Sequence, residues 1–333
     1  MRGARLSMEW LIVGYFLSYL PNVVLTRLAI SAVQPQAGRT LTGLEVLPAS
    51  LILNLAMTLL FVVLAGWQRD AHSISVGGLR VPVPTRYTLL SGIGTAFILF
   101  TVPLSLTFRD VSIPFIQLLM RGDILVIAPL VDLLFRRRVR WWSWVALLMV
   151  SAALALVIRQ RGGLKLPPLA LLTVILYTAG YFIRLAVMNW VAKTGDGASV
   201  RRYFVEEKIV ALPLAVLCLA GLSVAGFGTQ AGELEWGFVR VWSNPVIWPI
   251  IGIAATLTVI SVFAIMILLD TRENTFCVPL ERSSSLLAGI AGAWLLHWGW
   301  RLPAPTAIEM LGALLLVAAI VLLSVAPRLA KSA

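Results

Sequence analysis

A chain of 333 residues that is 59% hydrophobic and only 13% charged departs from the composition of water-soluble proteins, which carry roughly a quarter charged residues. Its mean hydropathy is +0.92. The formal charge of +12 comes without a nucleic-acid-binding motif and is accounted for by basic turns flanking apolar spans, so nucleic acid is not expected as a partner. Cys218 and Cys277 fall inside apolar blocks and read as buried thiols, two histidines are too few for a metal centre, and no cofactor is expected.

Apolar blocks of about 17–26 residues recur along the chain, each long enough to cross a hydrocarbon core of roughly 30 Å as a helix. In chain order the predicted spans are Trp10–Val33, Glu45–Trp67, Tyr87–Phe108, Ser112–Phe135, Trp142–Ile158, Pro167–Val191, Phe204–Phe227, Pro245–Leu269, Asn274–Trp298 and Pro305–Ala326. The first follows Arg2 and Arg5 and exceeds the apolar core of a cleavable signal, so it reads as a retained span. Only a tight turn, Arg109-Asp110-Val111, separates the third from the fourth. The expected fold class is an all-α polytopic membrane protein of about ten transmembrane helices, with no extramembrane domain.

Charge sets the expected orientation. With the N-terminus inside, the inner segments hold Arg2, Arg5, Arg69, Arg80, Arg86, Arg136, Arg137, Arg138, Arg140, Lys193, Arg201, Arg202, Arg272, Arg328 and Lys331. The outer ones hold Arg39, Arg109, Arg159, Arg161, Lys165, Arg240 and Arg301. The bias of about two to one predicts both termini in the cytoplasm, the 193–202 loop inside and the 228–243 loop outside. The basic run Arg136-Arg137-Arg138-Val139-Arg140 leads directly into Trp141, Trp142 and Trp144, as at an interfacial aromatic belt. The expected location is a bacterial inner (plasma) membrane.

The sequence also repeats itself. A shift of 161 residues brings Glu45 onto Glu206, Phe115 onto Phe276, Arg121 onto Arg282, Arg140 onto Arg301 and Met149 onto Met310. At a shift of 162, Tyr15-x-x-x-Tyr19 falls on Tyr177-x-x-x-Tyr181. Residues 1–160 and 161–333 therefore read as two five-helix repeats forming one membrane unit. Five is an odd number, so the second copy enters the membrane from the opposite side. Such inverted repeats build many secondary transporters, with the substrate at the repeat interface near mid-membrane.

The end of each repeat carries a resemblance. The first reads Phe115-Ile-Gln-Leu-Leu-Met-Arg121, Pro129-Leu-Val-Asp-Leu-Leu-Phe135, an arginine-rich turn and an apolar span. The second reads Phe276-Cys-Val-Pro-Leu-Glu-Arg282, Leu286-Leu-Ala-Gly-Ile-Ala-Gly292, the turn Gly299-Trp-Arg301 and Met310-Leu-Gly312. With the ten-span layout, this resembles the EamA-like branch of the drug/metabolite transporter superfamily. The resemblance implies a transporter fold and names no substrate. The family often has Gly-Glu at the turn between the last two helices of a repeat. Here those turns read Arg136-Arg137-Arg138 and Gly299-Trp300, so no role of that glutamate carries over.

Arg27, Arg121, Arg184, Lys208 and Arg282 lie inside predicted spans, with Asp123, Asp132, Glu206, Glu207 and Glu281 to balance them. A cation at the bilayer centre costs about 2.5–3.5 kcal/mol on insertion scales, so each needs a partner, water or a ligand. Asp132 one turn before Arg136, and Lys208 beside Glu207, read as structural pairs. The duplication sets Arg121 and Arg282 at equivalent depth. They line a substrate cavity, gripping a carboxylate or phosphate bidentately, or they pair with Asp123 and Glu281. Tyr15, Tyr19, Tyr177 and Tyr181 share helix faces in pairs and are candidates for the same lining, or for ordinary interhelical hydrogen bonds.

These features favour a secondary transporter of a small organic solute, anionic or zwitterionic, acting by alternating access. A flippase for a lipid-linked anionic head group is the alternative. A membrane-embedded enzyme is a weaker one, since no paired-histidine metal motif, Gly-x-Ser-x-Gly or aspartate cluster is present, and no Walker loop indicates ATP. The expected partners are a small-molecule substrate and the lipid bilayer, with a homodimer left open.

Overall fold

The computed structural model describes residues 7–31, 33–34, 38–105, 108, 113, 115–116, 118–120, 141–160, 167–192, 196–226, 228–270 and 274–332. These are overwhelmingly helical. The helices are α1 (Met8–Ser31), α2 (Gly43–Leu64), α3 (Arg86–Ser105), α4 (Trp141–Gln160), α5 (Pro168–Val191), α6 (Gly197–Val224), α7 (Gly228–Val239), α8 (Ile247–Leu268), α9 (Asn274–Trp300) and α10 (Ala307–Ser332). Helical residues also occur at 113, 115–116 and 118–120. Among the described residues, sheet is confined to two antiparallel hairpins, β1 (Val33–Gln34) with β2 (Arg39–Thr40) and β3 (Ser73–Val76) with β4 (Leu79–Pro82).

Among the described residues six helices, α1, α2, α3, α5, α6 and α8, are long and apolar enough to cross a membrane. The shortest, α3, has 20 residues, which at about 1.5 Å per residue is one bilayer core. The distribution of side chains agrees. Leu17, Leu60, Leu64, Leu148, Leu217 and Val224 point outward, whereas Arg184, Glu207, Lys208, Glu281 and Arg282 are buried. Water-soluble proteins do the reverse with their charges. The fold is that of an all-α membrane protein.

Helix ends follow local chemistry. Pro167 and Pro168 open α5, where a missing N–H costs nothing. Glu45 in the first turn of α2 accepts from the Thr42 backbone N–H at 2.8 Å. Asp196 caps α6, accepting from the N–H groups of Ala198 and Ser199, each at 3.2 Å. These two bonds hold its carboxyl below the usual carboxylate range. At the C-terminal end of α9, Arg301 takes a left-handed conformation (φ 54°) and its N–H reaches the His297 carbonyl at 3.0 Å, closing the helix with an αL cap.

Packing is dominated by a few long helix pairs. The most extensive contacts are α3 with α5 and α1 with α8, followed by α4 with α10 and α3 with α6. α9 lies against α1 and α10, and α2 lies against α8, α7 and α6. Glycines allow the closest approaches, as small residues do in membranes generally. A Cβ on Gly180 would collide with the Gly94 carbonyl where α5 crosses α3, and one on Gly252 would sit 2.8 Å from Leu25 Cδ1 where α8 crosses α1.

Three features differ from the sequence-based expectation. α6 begins at Gly197, seven residues before the predicted span, because Asp196 is a strong cap and Arg201 and Arg202 lean off the helix. Their guanidinium Nε atoms reach the Asp70 carboxylate at 2.5 Å and the Asp70 carbonyl at 3.0 Å. Helix α7 occupies most of the stretch expected to be the 228–243 loop, packed on α2 and α6. Cys218 is exposed on the outer side of α6, not buried, while Cys277 is buried.

Candidate functional site

Five of the six candidate residues from the sequence meet at one place; the sixth, Arg121, lies outside the described residues, as do Asp123, Asp132 and Arg136. Tyr15 and Tyr19 stand one turn apart on α1, ring centroids 5.7 Å apart. Tyr177 and Tyr181 stand likewise on α5, stacked at 5.8 Å. Arg282 of α9 reaches between these helices. Its guanidinium carbon sits 3.6 Å from the Tyr181 ring centroid and 5.1 Å from that of Tyr177, a close cation–π contact with the first and a longer one with the second. The four tyrosines are buried, and Arg282 is 0% exposed.

Glu281, the preceding residue, completes the cluster. Its carboxylate accepts a short hydrogen bond from the Tyr15 hydroxyl and a long one, 3.5 Å, from Tyr181. It stands 3.4 Å from Arg282 Nε, within ion-pair range but outside hydrogen-bond geometry. Adjacent residues on a helix diverge, yet the long arginine side chain bends back towards its neighbour. Nε, Nη1 and Nη2 of Arg282 make no hydrogen bond to any described residue. A guanidinium carries five N–H donors in a planar fork matched to a carboxylate or phosphate. Here the group is in contact with tyrosine rings and its N–H groups have no hydrogen-bond partner among the described residues, so it could accept a planar anion.

A second buried arginine has the opposite environment. Arg184 on α5 donates from Nε to Glu207 Oε1 at 2.8 Å and from Nη2 to Oε2 at 3.1 Å. Glu207, on α6, also accepts from Thr95 at 2.8 Å, and from Ser91 and the Tyr203 hydroxyl at 3.1 Å each. Ser91 and Tyr203 also lie within hydrogen-bond distance of each other, and with one proton each the two hydroxyls make two of these three contacts at a time. Most of these contacts converge on Oε1, with Oε2 facing Arg184 Nη2, and three helices are tied together. The expected pairing of Lys208 with Glu207 is electrostatic only: the Glu207 hydrogen bonds go to Arg184 and the hydroxyls, and Lys208 donates to Ser261 of α8 at 3.3 Å.

The two glutamates related by the 161-residue shift both anchor hairpins. Glu45 binds Arg39 of β2 through both guanidinium ends, which holds the Arg39 pKa above its usual value. Glu206 accepts from the His72 N–H at 3.1 Å and from Thr88 at 2.9 Å, with His72 Nδ1 2.6 Å away, just ahead of β3. His297 lies in the last turn of α9 with Nδ1 2.7 Å from the Leu302 carbonyl.

No family model matches the chain, and no curated protein matches it. Among solved structures, a crystal structure described only as that of a protein aligns over 98% of this chain and 99% of its own, with a TM-score of 0.51 and 16% sequence identity. At that identity the likeness is one of fold alone.

Proposed function

We propose that this chain is a secondary transporter of a small organic anion or zwitterion, with the Arg282 cluster as its substrate site. The observation that carries the reading is a fully buried guanidinium held flat by Tyr177 and Tyr181, with its hydrogen-bonding edge unclaimed among the described residues. An unsatisfied buried cation is expensive. A substrate carboxylate or phosphate would offset that cost while bound, which gives the site a reason to exist. Neither catalysis nor a cofactor enters this reading.

The working parts are two inverted five-helix repeats, residues 1–160 and 161–333, making ten spans in all. In that scheme α1 corresponds to α5, α2 to α6, α3 to α8 and α4 to α10. The helix pairing supports it. Exchanging the halves turns the α1–α8 pair into α5–α3 and the α2–α8 pair into α6–α3, and both partners of each exchange are among the prominent contacts. The pairs α2–α6 and α4–α10 map onto themselves. Glu45 and Glu206, matched by the shift, belong near opposite ends of α2, about 30 Å apart at 1.5 Å per residue. Inversion predicts that separation. Rocking between such halves gives alternating access. The resemblance to the EamA-like drug/metabolite transporters belongs to the same proposal, as do a bacterial inner-membrane location and cytoplasmic termini.

Uptake of labelled carboxylates, then amino acids, into proteoliposomes tests the function. Wild-type protein should give saturable uptake of at least one. Arg282→Gln should weaken apparent affinity about ten- to a hundred-fold, the size of a lost charge-assisted contact of ~1.5–3 kcal/mol. Unchanged uptake in that variant, or conversion of the solute without a sealed compartment, overturns the reading. Reporter fusions test the architecture: residues 193–195 should report from the cytoplasm and the segment near Gly228 from outside. Finding both on one side removes the inverted repeat.

A further inference from the structure

We infer that Lys208 forms the centre of a second buried anion site, separate from the Arg282 cluster, where α2, α6 and α8 meet. Lys208 is 4% exposed and lies near the middle of α6. Among the described residues its ammonium has one hydrogen bond, to Ser261 at 3.3 Å, and no ion pair. The Phe204 ring, 5.7 Å away, offers a weak cation–π contact. The neighbouring acid acts on it only through space, because the Glu207 carboxylate is turned to Arg184 and the hydroxyls on α3 and α6. The trio Arg184, Glu207 and Lys208 therefore carries one cation more than it has anions.

A second observation lies one helical turn away. Thr258, three residues before Ser261 on α8, donates to Asn54 Oδ1 at 2.9 Å, and Thr58 donates to the same oxygen at 3.2 Å. Asn54 is 1% exposed at the centre of α2, and its Nδ2, with two N–H donors, has no hydrogen-bond partner among the described residues. Residues three apart on a helix share a face at roughly 5–6 Å, so the ammonium and the amide border the same stretch of α8. The side chains there offer an excess of donors and one cation, with their one strong acceptor, Asn54 Oδ1, already used twice. A compact oxyanion, a carboxylate or a phosphate, is the ligand that this set fits. It comes either from a soluble solute or from an anionic lipid head group.

Binding is read in detergent, independently of transport, on a chain carrying Arg282→Gln so that the first cluster cannot report. Inorganic phosphate or succinate should raise Tm saturably in this background, and Lys208→Met should abolish the rise. Alternatively, phosphatidylglycerol nanodiscs should raise Tm over phosphatidylcholine ones in a Lys208-dependent way, which assigns the site to a lipid head group. Lys208→Met should fold, because it removes an ammonium that no acid balances. Should it not fold, Asn54→Leu keeps the lysine and should weaken the anion about tenfold. A response to anions or lipid that is unaltered by Asn54→Leu and, where it folds, by Lys208→Met overturns the site, as does no response to any of the three probes. Either result leaves the transport test at Arg282 standing or falling by itself.

Discussion

Arg184 with Glu207 and Arg282 with Glu281 use the same two residue types in the same kind of place, and they differ in how the guanidinium edge is used. Arg184 spends Nε and Nη2 on one carboxylate that also gathers Ser91, Thr95 and Tyr203. Arg282 rests on the rings of Tyr177 and Tyr181, and its carboxylate neighbour is turned towards Tyr15. The first arrangement consumes its donors internally and ties α3, α5 and α6 together. The second keeps an arginine oriented without consuming it. Satisfied donors hold a fold; unsatisfied, oriented donors are what a ligand can use.

The sharpest way to break this contrast is to remove Glu207. Glu207→Ala strands Arg184 in the interior and should cost about 3–5 kcal/mol of stability, read as a large fall in Tm. Combining Glu207→Gln with Arg184→Gln should recover much of it, since no charge is then left alone. Arg282→Gln should cost less, on the order of 1–2 kcal/mol, because it forfeits ring-face contacts rather than hydrogen bonds. Equal losses at the two arginines would erase the distinction. The smallest effect is expected at Asp196, a third hydrogen-bonded acid but an exposed one. Its pKa is depressed in the folded chain, so its contribution is present above the unfolded value of about 3.9 and lost as pH falls through the folded one. Asp196→Ala should lower Tm slightly at neutral pH, with the difference from wild type disappearing in acid. A difference that persists there would mean the cap acts through something other than its charge.

The long apolar helices were legible because lipid-facing spans impose length and composition: α5 (Pro168–Val191) starts one residue from its expected position and ends where predicted. What hydropathy misses is helix that is neither lipid-facing nor apolar. The start of α6 carries Arg201 and Arg202, which read as loop until Asp70 is seen to receive them. Helix α7 contains Glu233 and Glu235 and packs on protein, with Thr42 donating to Glu233 at 3.0 Å. The tyrosines and Arg282 could be picked out because spacing and internal duplication are properties of the sequence. The Arg184–Glu207 pair could not, since its partners lie 23 residues apart on different helices and only tertiary packing joins them. Asn54 and Thr258 are likewise ordinary polar residues in apolar runs until α2 meets α8.

The two ends of the molecule are finished with different hardware. Where α2 begins, Gly237 of α7 is pressed so close that a Cβ would lie 2.6 Å from the Glu45 carbonyl, with the β1–β2 hairpin beside it. Near the other end of α2, a 3₁₀ turn (Trp67–Arg69) and the β3–β4 hairpin lie against α6 through His72 and Asp70. In the proposed scheme, two truly identical inverted halves would make inward-open and outward-open forms equivalent by a two-fold rotation and equal in free energy, each half populated at rest. Unequal fittings would lift that degeneracy. In a transporter of this design the resting population would lean to one side, and the lean would be set by a short helix and a hairpin that never touch the cargo.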